Sequence, residues 1–292
     1  MEATGEEEGE DAGGATADTP DPELTAQMGS YAAEVRLVDD AAGEIMLLWA
    51  IQQPTLARPN AFARQSSLEL RLDACGHQLT ICQSPSSMSN PGVTGAVMWD
   101  SGVVLGKFLE NAVDLGRLLL QGKKVIELGS GCGLVGCMAA LMGARVILTD
   151  LPDRLRLLKK NVELNVKGGN ARGSAEVCEL TWGDDLESEL IEPLPEFVLG
   201  SDVIYSEAAV LALLSTLRQL CGNYTTIFLA GELRNDAVLE YFLEAAMENF
   251  LIGCIDQTQW HPDNRSRRVA VFVLVKKLDK LEYLPSSTDA LF

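Results

Sequence analysis

The stretch 124–150, KVIELGSGCGLVGCMAALMGARVILTD, leaves this chain few folds to choose from. It reads as a strand at 125–128, a turn punctuated by Gly129, Gly131 and Gly133, and an apolar helix through Met142; a second strand at 145–149 then ends on Asp150. A strand, a glycine turn and a helix broken by Gly143 mark a βαβ unit with parallel strands. In such sheets the ligand binds beyond the carboxyl ends of the strands. Gly129 to Gly133 and Asp150 fall on that edge, which points to a nucleoside-bearing cofactor.

Which cofactor is not settled by this stretch alone. Gly131, Gly133 and Gly136 spell G-x-G-x-x-G, and Asp150 stands where a carboxylate accepts ribose hydroxyls, so a dinucleotide is one reading. The other turns on Glu127 inside the strand and Gly129 directly after it, since alternating glycines let backbone approach a methionine moiety. A buried acid needs a partner, and a cofactor ammonium would supply one.

The flanking chain narrows the choice. Alternating apolar runs predict strands at 31–38 and 44–51, a hairpin from 67–72 and 78–82, and further strands at 175–181, 197–201 and 225–230. Helices are expected from Asp100 to about Leu120, from Pro152 to about Val166, over 207–220 and over 236–249. Arg154, Arg156, Lys159 and Lys160 lie on the outward face of the second of these, as a solvated helix side would. Extended runs at 251–257 and 268–276 close the chain as a hairpin, so the sheet would end with an antiparallel strand. A seven-stranded α/β sheet of that kind is the Rossmann-like architecture of class I S-adenosylmethionine-dependent methyltransferases, whereas a dinucleotide sheet would be wholly parallel.

Three further segments fall on the ligand edge. Trp182, in Thr-Trp-Gly, either stacks on an adenine or caps the core. Asp202 follows the 197–201 strand and offers an acceptor for an amine N–H, with Tyr205 three residues on as a wall or hydroxyl; alternatively Asp202 caps the next helix. One carboxylate raises an amine's pKa, so Asp202 would orient the amine more than deprotonate it. His77 and His261 both lie in turns.

Composition sets the outer limits. The net charge is -19, and residues 1–23 carry nine acids and no Lys or Arg. That argues against nucleic acid as the partner and suits a solvated tail or a basic peptide surface. Seven scattered cysteines without C-x-x-C pairs predict reduced thiols in a cytoplasmic or nuclear protein, and two histidines give a metal site little to draw on. No signal peptide opens the sequence, and no apolar run approaches the roughly 18 residues of a membrane span.

Five ordered motifs now carry a resemblance. VMWDSGVVLGKFLE (97–110), VIELGSGCGLVG (125–136), VILTD (146–150), ELTWG (179–183) and GSDVIY (200–205) are similar to the methyltransferase-like 21 group of the family-16 seven-β-strand protein-lysine methyltransferases. The resemblance covers roughly residues 67–276. It implies S-adenosylmethionine held by Trp99, Gly129, Ser130, Gly131, Asp150, Trp182 and the backbone of Ser201, with Asp202 and Tyr205 as the catalytic D-x-x-Y pair at a lysine amine. It also implies a protein substrate among chaperones, ATPases or translation factors. The chain then divides into a disordered acidic tail (1–29), a β-rich extension with a hairpin (30–96), a class I methyltransferase domain (97–277) and a C-terminal tail (278–292). A methyltransferase for a small molecule, histidine or arginine, and a cofactor-binding interaction protein without catalysis, are the alternatives.

Overall fold

The chain enters through a hairpin at the sheet's edge. Thr25–Met28 (β1) and Tyr31–Val38 (β2) pair antiparallel across Gly29, whose φ of +58° few other residues adopt readily. The computed structural model describes residues 24–89, 94–168 and 171–277, so most of the acidic tail and all of 278–292 lie outside the described residues. Strand β1 lies inside the stretch expected to be disordered. Its single buried anchor, Met28, and the ladder to β2 order it despite its polar composition.

The expected strand at 44–51 is instead part of a helix, Ala41–Gln52 (α1). An apolar run cannot by itself distinguish the two. Asp40 decides it by accepting the Gly43 N–H at 2.9 Å as N-cap. Ala41, Ile45 and Leu48 turn inward at helical spacing, leaving Met46 74% and Ile51 60% exposed. Arg36 pairs with the buried Glu44, and Trp49 Nε1 donates to Asp236 at 2.8 Å.

Glu69–Ala74 (β3) and His77–Cys82 (β4) form the expected hairpin as a separate two-stranded sheet. Asp100–Asp114 (α2) follows and stops earlier than its apolar pattern suggests, because Gly116 at φ +67° turns the chain and leaves Leu115 and Leu119 exposed. Lys124–Leu128 (β5), Leu134–Leu141 (α3) and Arg145–Asp150 (β6) make the βαβ unit, with β5 and β6 parallel. Then come Leu155–Asn165 (α4), Ser174–Glu179 (β7), the single turn Ser188–Ile191 (α5) and Phe197–Ser201 (β8). Glu207–Leu220 (α6), Thr226–Glu232 (β9), Asp236–Met247 (α7), Phe250–Cys254 (β10) and Val269–Lys276 (β11) complete the chain.

The main sheet runs β1-β2-β10-β11-β9-β8-β5-β6-β7. Strands β7, β6, β5, β8 and β9 are mutually parallel, and β11 enters antiparallel between β9 and β10. The seven-stranded α/β core of a class I methyltransferase is therefore present, widened to nine strands because β2 pairs with β10. Helices α2, α3 and α4 cover one face and α1, α6 and α7 the other. Phe228 on β9 is an aromatic hub, with the rings of Tyr31, Phe108 and Phe197 centred 5.9, 5.7 and 6.3 Å away. Burying such a ring contributes about 1.5–3 kcal/mol, so the N-terminal hairpin is fused to the core through Tyr31.

The β3–β4 hairpin is tied down differently. Asn165 of α4 accepts the Thr80 N–H and donates to the Thr80 carbonyl, both at 2.9 Å. Asn161 does the same for Cys82, accepting at 2.8 Å and donating at 3.0 Å, and its amide also donates to the Cys132 carbonyl at 2.9 Å. Two helix amides thus replace the neighbouring strand that β4 would otherwise lack.

Candidate active site

A cavity of ≈ 540 Å³ opens at the carboxyl ends of β5, β6, β8 and β9, within the range of about 300–1,000 Å³ that small-ligand sites occupy. Trp99, Gly129, Ser130, Gly131, Asp150, Trp182, Ser201, Asp202 and Tyr205 all border it, although they are drawn from five separate parts of the chain. His77 and His261 do not: His77 opens β4, and His261 accepts the Asp263 N–H in a turn.

The half of the cavity beneath β5 and β6 is shaped by backbone. Gly129 and Gly131 have φ of +58° and +52°, and a Cβ on either would lie 3.0 Å from the Trp182 ring or 3.1 Å from the Gly95 carbonyl. Side chains there would be strained and would close the floor. Ser130 locks the turn, its N–H donating to Thr149 O at 2.9 Å. Asp150 caps the same turn, accepting the Gly131 N–H at 2.7 Å and the Leu151 N–H at 2.8 Å. A carboxylate has about four acceptor sites, so Asp150 keeps capacity for further donors. Burial raises its pKa, against the pull of the two N–H groups.

Glu127 is the buried acid of this half. It accepts the Gly136 N–H at 3.0 Å and borders the cavity, and no lysine or arginine pairs with it among the described residues. Burial pushes its carboxyl up to about 8, against the pull of Ser130 and the Gly136 N–H. Trp182 is partly buried, packed on the core and against the glycine turn, with the Tyr205 ring centred 6.2 Å away. Tyr205 stands 49% exposed at the mouth; burial and the Asp150 charge raise its phenol, which stays protonated at neutral pH.

The half beyond β8 and β9 is built from side chains. Asp202 has φ +54°, an uncommon conformation outside glycine, held by its N–H to Ala230 O at 2.8 Å. Its carboxylate accepts from Ser101 Oγ at 2.6 Å, from the Glu232 N–H at 3.1 Å and from Arg234 Nη2 at 2.8 Å. It does not cap the following helix; Ser206 does, accepting the Ala209 N–H. The Arg234 guanidinium lies 4.2 Å from the centre of the Trp99 ring. Glu232 accepts the Asp100 N–H, and burial, then the Asp202 charge, pushes its carboxyl up to about 7 while Arg234 opposes. Asp100 itself is fully buried but receives the N–H groups of Ala61, Phe62 and Ala63.

Sequence reasoning missed Ser101, Glu232 and Arg234 here and Gly95 on the glycine side, because each lies on a different segment from the motif it serves. Arg154, read as part of a solvated face, borders the cavity; Arg156, Lys159 and Lys160 on the same helix are exposed.

The sheet order and the cavity at its carboxyl edge define a class I methyltransferase. Residues 76–248 match the lysine methyltransferase family, and the chain belongs to it. EEF1A lysine methyltransferase 3 of Mus musculus is 41% identical over 181 residues, covering 62% of this chain and 73% of that protein. Protein N-lysine methyltransferase METTL21A of Danio rerio is 36% identical over 220 residues, covering 75% and 91%. S-adenosylmethionine is the methyl donor of such an enzyme.

Proposed function

We propose that this chain methylates the ε-amine of a lysine in a protein substrate, using the cradle at Gly129–Asp150 for S-adenosylmethionine and the Asp202–Tyr205 segment for the amine. The observation that carries this reading is a single cavity in which a glycine-and-carboxylate floor meets a carboxylate-and-aromatic wall. The donor set fits the cofactor. Glu127, short of partners and facing the cavity, suits its ammonium. Asp150, with acceptor capacity left, suits the ribose hydroxyls, and Trp182 with Leu180 and Leu151 offers an apolar wall to the base.

Bound there, the cofactor supplies an electrophilic methyl carbon whose sulfur keeps the bonding pair as the amine nitrogen takes the methyl group. The protein's part is positioning. Asp202 favours a cationic amine at the wall, and so does the Trp99 ring, which lies under Arg234 and is therefore given to the amine and not, as the resemblance implied, to the cofactor. Tyr205 narrows the mouth, and closure of a peptide over it removes water. The proton must leave the nitrogen before or during attack, since a lysine of pKa about 10.4 arrives charged. Asp202, fixed by three donors, orients that nitrogen more than it strips it.

We further infer that the substrate belongs to the chaperone, ATPase or translation-factor class and presents a basic surface, which the net charge of -19 would attract. A cytoplasmic or nuclear site of action is consistent with the free thiols at all seven cysteines. No described helix is long and apolar enough to cross a membrane. The deciding experiment incubates the purified chain with a cell lysate and methyl-labelled cofactor, followed by mass spectrometry. Label mapping to lysine on a protein supports the proposal. Label on small molecules, histidine or arginine, or cofactor binding without any transfer, overturns it.

A further inference from the structure

The acceptor wall already holds a cation. Arg234 lies in the short turn between β9 and α7, one residue before the α7 N-cap Asn235, and its side chain folds back over the cavity. Its Nη2 donates to Asp202 at 2.8 Å, its Nε lies 3.8 Å from Glu232, and its Cζ sits 4.2 Å above Trp99. A carboxylate beneath and an aromatic face beside are the contacts an alkylammonium would seek at the same place.

Charge explains why the place is filled. Asp100, Asp202 and Glu232 converge on this wall, and their side chains are nearly or fully buried. The N–H groups of Ala61, Phe62 and Ala63 absorb the charge of Asp100. Asp202 and Glu232 are left facing each other, and like carboxylates at close range are costly without a cation. Arg234 is the only arginine or lysine paired with either of them among the described residues. Its own side chain is 34% exposed, so it can turn out to solvent without crossing the core.

We infer that Arg234 is a resident occupant of the acceptor-amine seat formed by Asp202, Glu232 and Trp99, and that a substrate lysine binds by displacing it. The inference rests on the lysine-transfer reading for its purpose, although the seat itself is a cation site whatever the enzyme methylates. In this arrangement the empty enzyme keeps its carboxylates neutralised, and the cofactor's methyl group is guarded from stray amines. Only a substrate with enough remote contacts to offset the displacement reaches the seat. Glu232 becomes a second carboxylate of the seat, beside Asp202.

The test uses the full chain, wild type and Arg234→Ala, with saturating S-adenosylhomocysteine and butylammonium chloride as the probe of a lysine side chain. Removing a competing internal cation should tighten butylammonium binding by about tenfold or more, as an occupied seat taxes every ligand that needs it empty. Methylguanidinium should bind the Arg234→Ala protein and compete with butylammonium there, having little effect on wild type. Arg234→Gln, which keeps size and polarity without charge, should behave as the alanine variant does and controls for a disturbed turn. Equal or weaker butylammonium binding in both variants, with cofactor affinity unchanged, overturns the inference. So does a fall in kcat at constant KM for a lysine substrate, which would make Arg234 a group that lowers the amine's pKa instead. Failure of the lysine-transfer reading looks different: the butylammonium and methylguanidinium results hold while no lysine is labelled in any lysate.

Discussion

The two halves of the cavity hold charge by opposite means. Under β5 and β6, the carboxyl groups are held by backbone: Asp150 accepts the Gly131 and Leu151 N–H groups, and Glu127 accepts the Gly136 N–H of α3. Beyond β8 and β9, Asp202 is held by the side chains of Ser101 and Arg234 and by the Glu232 N–H, and Glu232 by the Asp100 N–H, with Arg234 as a removable counter-ion to both. Backbone donors cannot leave, so the first half is a fixed mould. A guanidinium can leave, so the second is a seat that can be emptied. A methyltransferase gains from that division, because one cofactor recurs in every cycle whereas the acceptor must be admitted and released.

The strongest way to break this contrast is Asp202→Ala. Methyl transfer to a lysine substrate should fall by about 10²-fold or more, the scale of losing a positioning group, while cofactor affinity measured by calorimetry stays within about threefold. If both fall together, the halves are not separable. Asp150→Ala is the mirror experiment. Cofactor affinity should weaken by at least about tenfold, equivalent to 1.4 kcal/mol. The orphaned Gly131 N–H should also cost about 1–3 kcal/mol of folding stability, read by denaturant titration, whereas the exposed Leu151 N–H can turn to water. Unchanged affinity would remove the ribose role.

Glu127 gives the subtlest contrast, through protons. Its folded pKa of about 8 lies above the ordinary value of 4.5, so the folded protein without cofactor keeps this proton while the unfolded chain has lost it. The group therefore contributes stability that is full below about pH 4.5 and falls away as pH rises toward 8. Glu127→Gln should flatten that part of the wild-type stability profile. An ammonium arriving beside Glu127 favours the carboxylate, so cofactor binding at pH 7 should release about one proton. Calorimetry in buffers of different ionisation enthalpy measures that release, and Glu127→Gln should abolish it. Equal proton release in both proteins would place the ammonium elsewhere.

The same division governs what could be read from the sequence. The glycine turn, Glu127 and Asp150 sit within one βαβ unit, where local spacing and conformational freedom carry the information. The acceptor wall assembles Trp99, Ser101, Asp202, Glu232 and Arg234 from three distant stretches of chain, and Glu232 and Arg234 lie in no readable motif. Glu232 and Arg234 look like the unremarkable end of a strand until β9 is placed beside β8. The error at 44–51 has a related cause: EIMLLWAI is apolar in either periodicity, and the Asp40 cap with the Arg36–Glu44 pair chooses the helix. Strand β1 was hidden for the converse reason, its order coming from a partner strand and not from its own composition.

The Asn161 side chain has a further consequence. Through one amide group it grips both the Cys82 carbonyl of the β3–β4 hairpin and the Cys132 carbonyl inside the glycine turn. Neither segment can shift without loosening a bond the other shares. Linkage of this kind is reciprocal: whatever orders the turn must steady the hairpin, and whatever docks on the hairpin must tighten the turn. Exchange of the Thr80 and Cys82 amide hydrogens with deuterium should therefore slow when cofactor binds, a remote gauge of occupancy read on a hairpin that does not border the cavity.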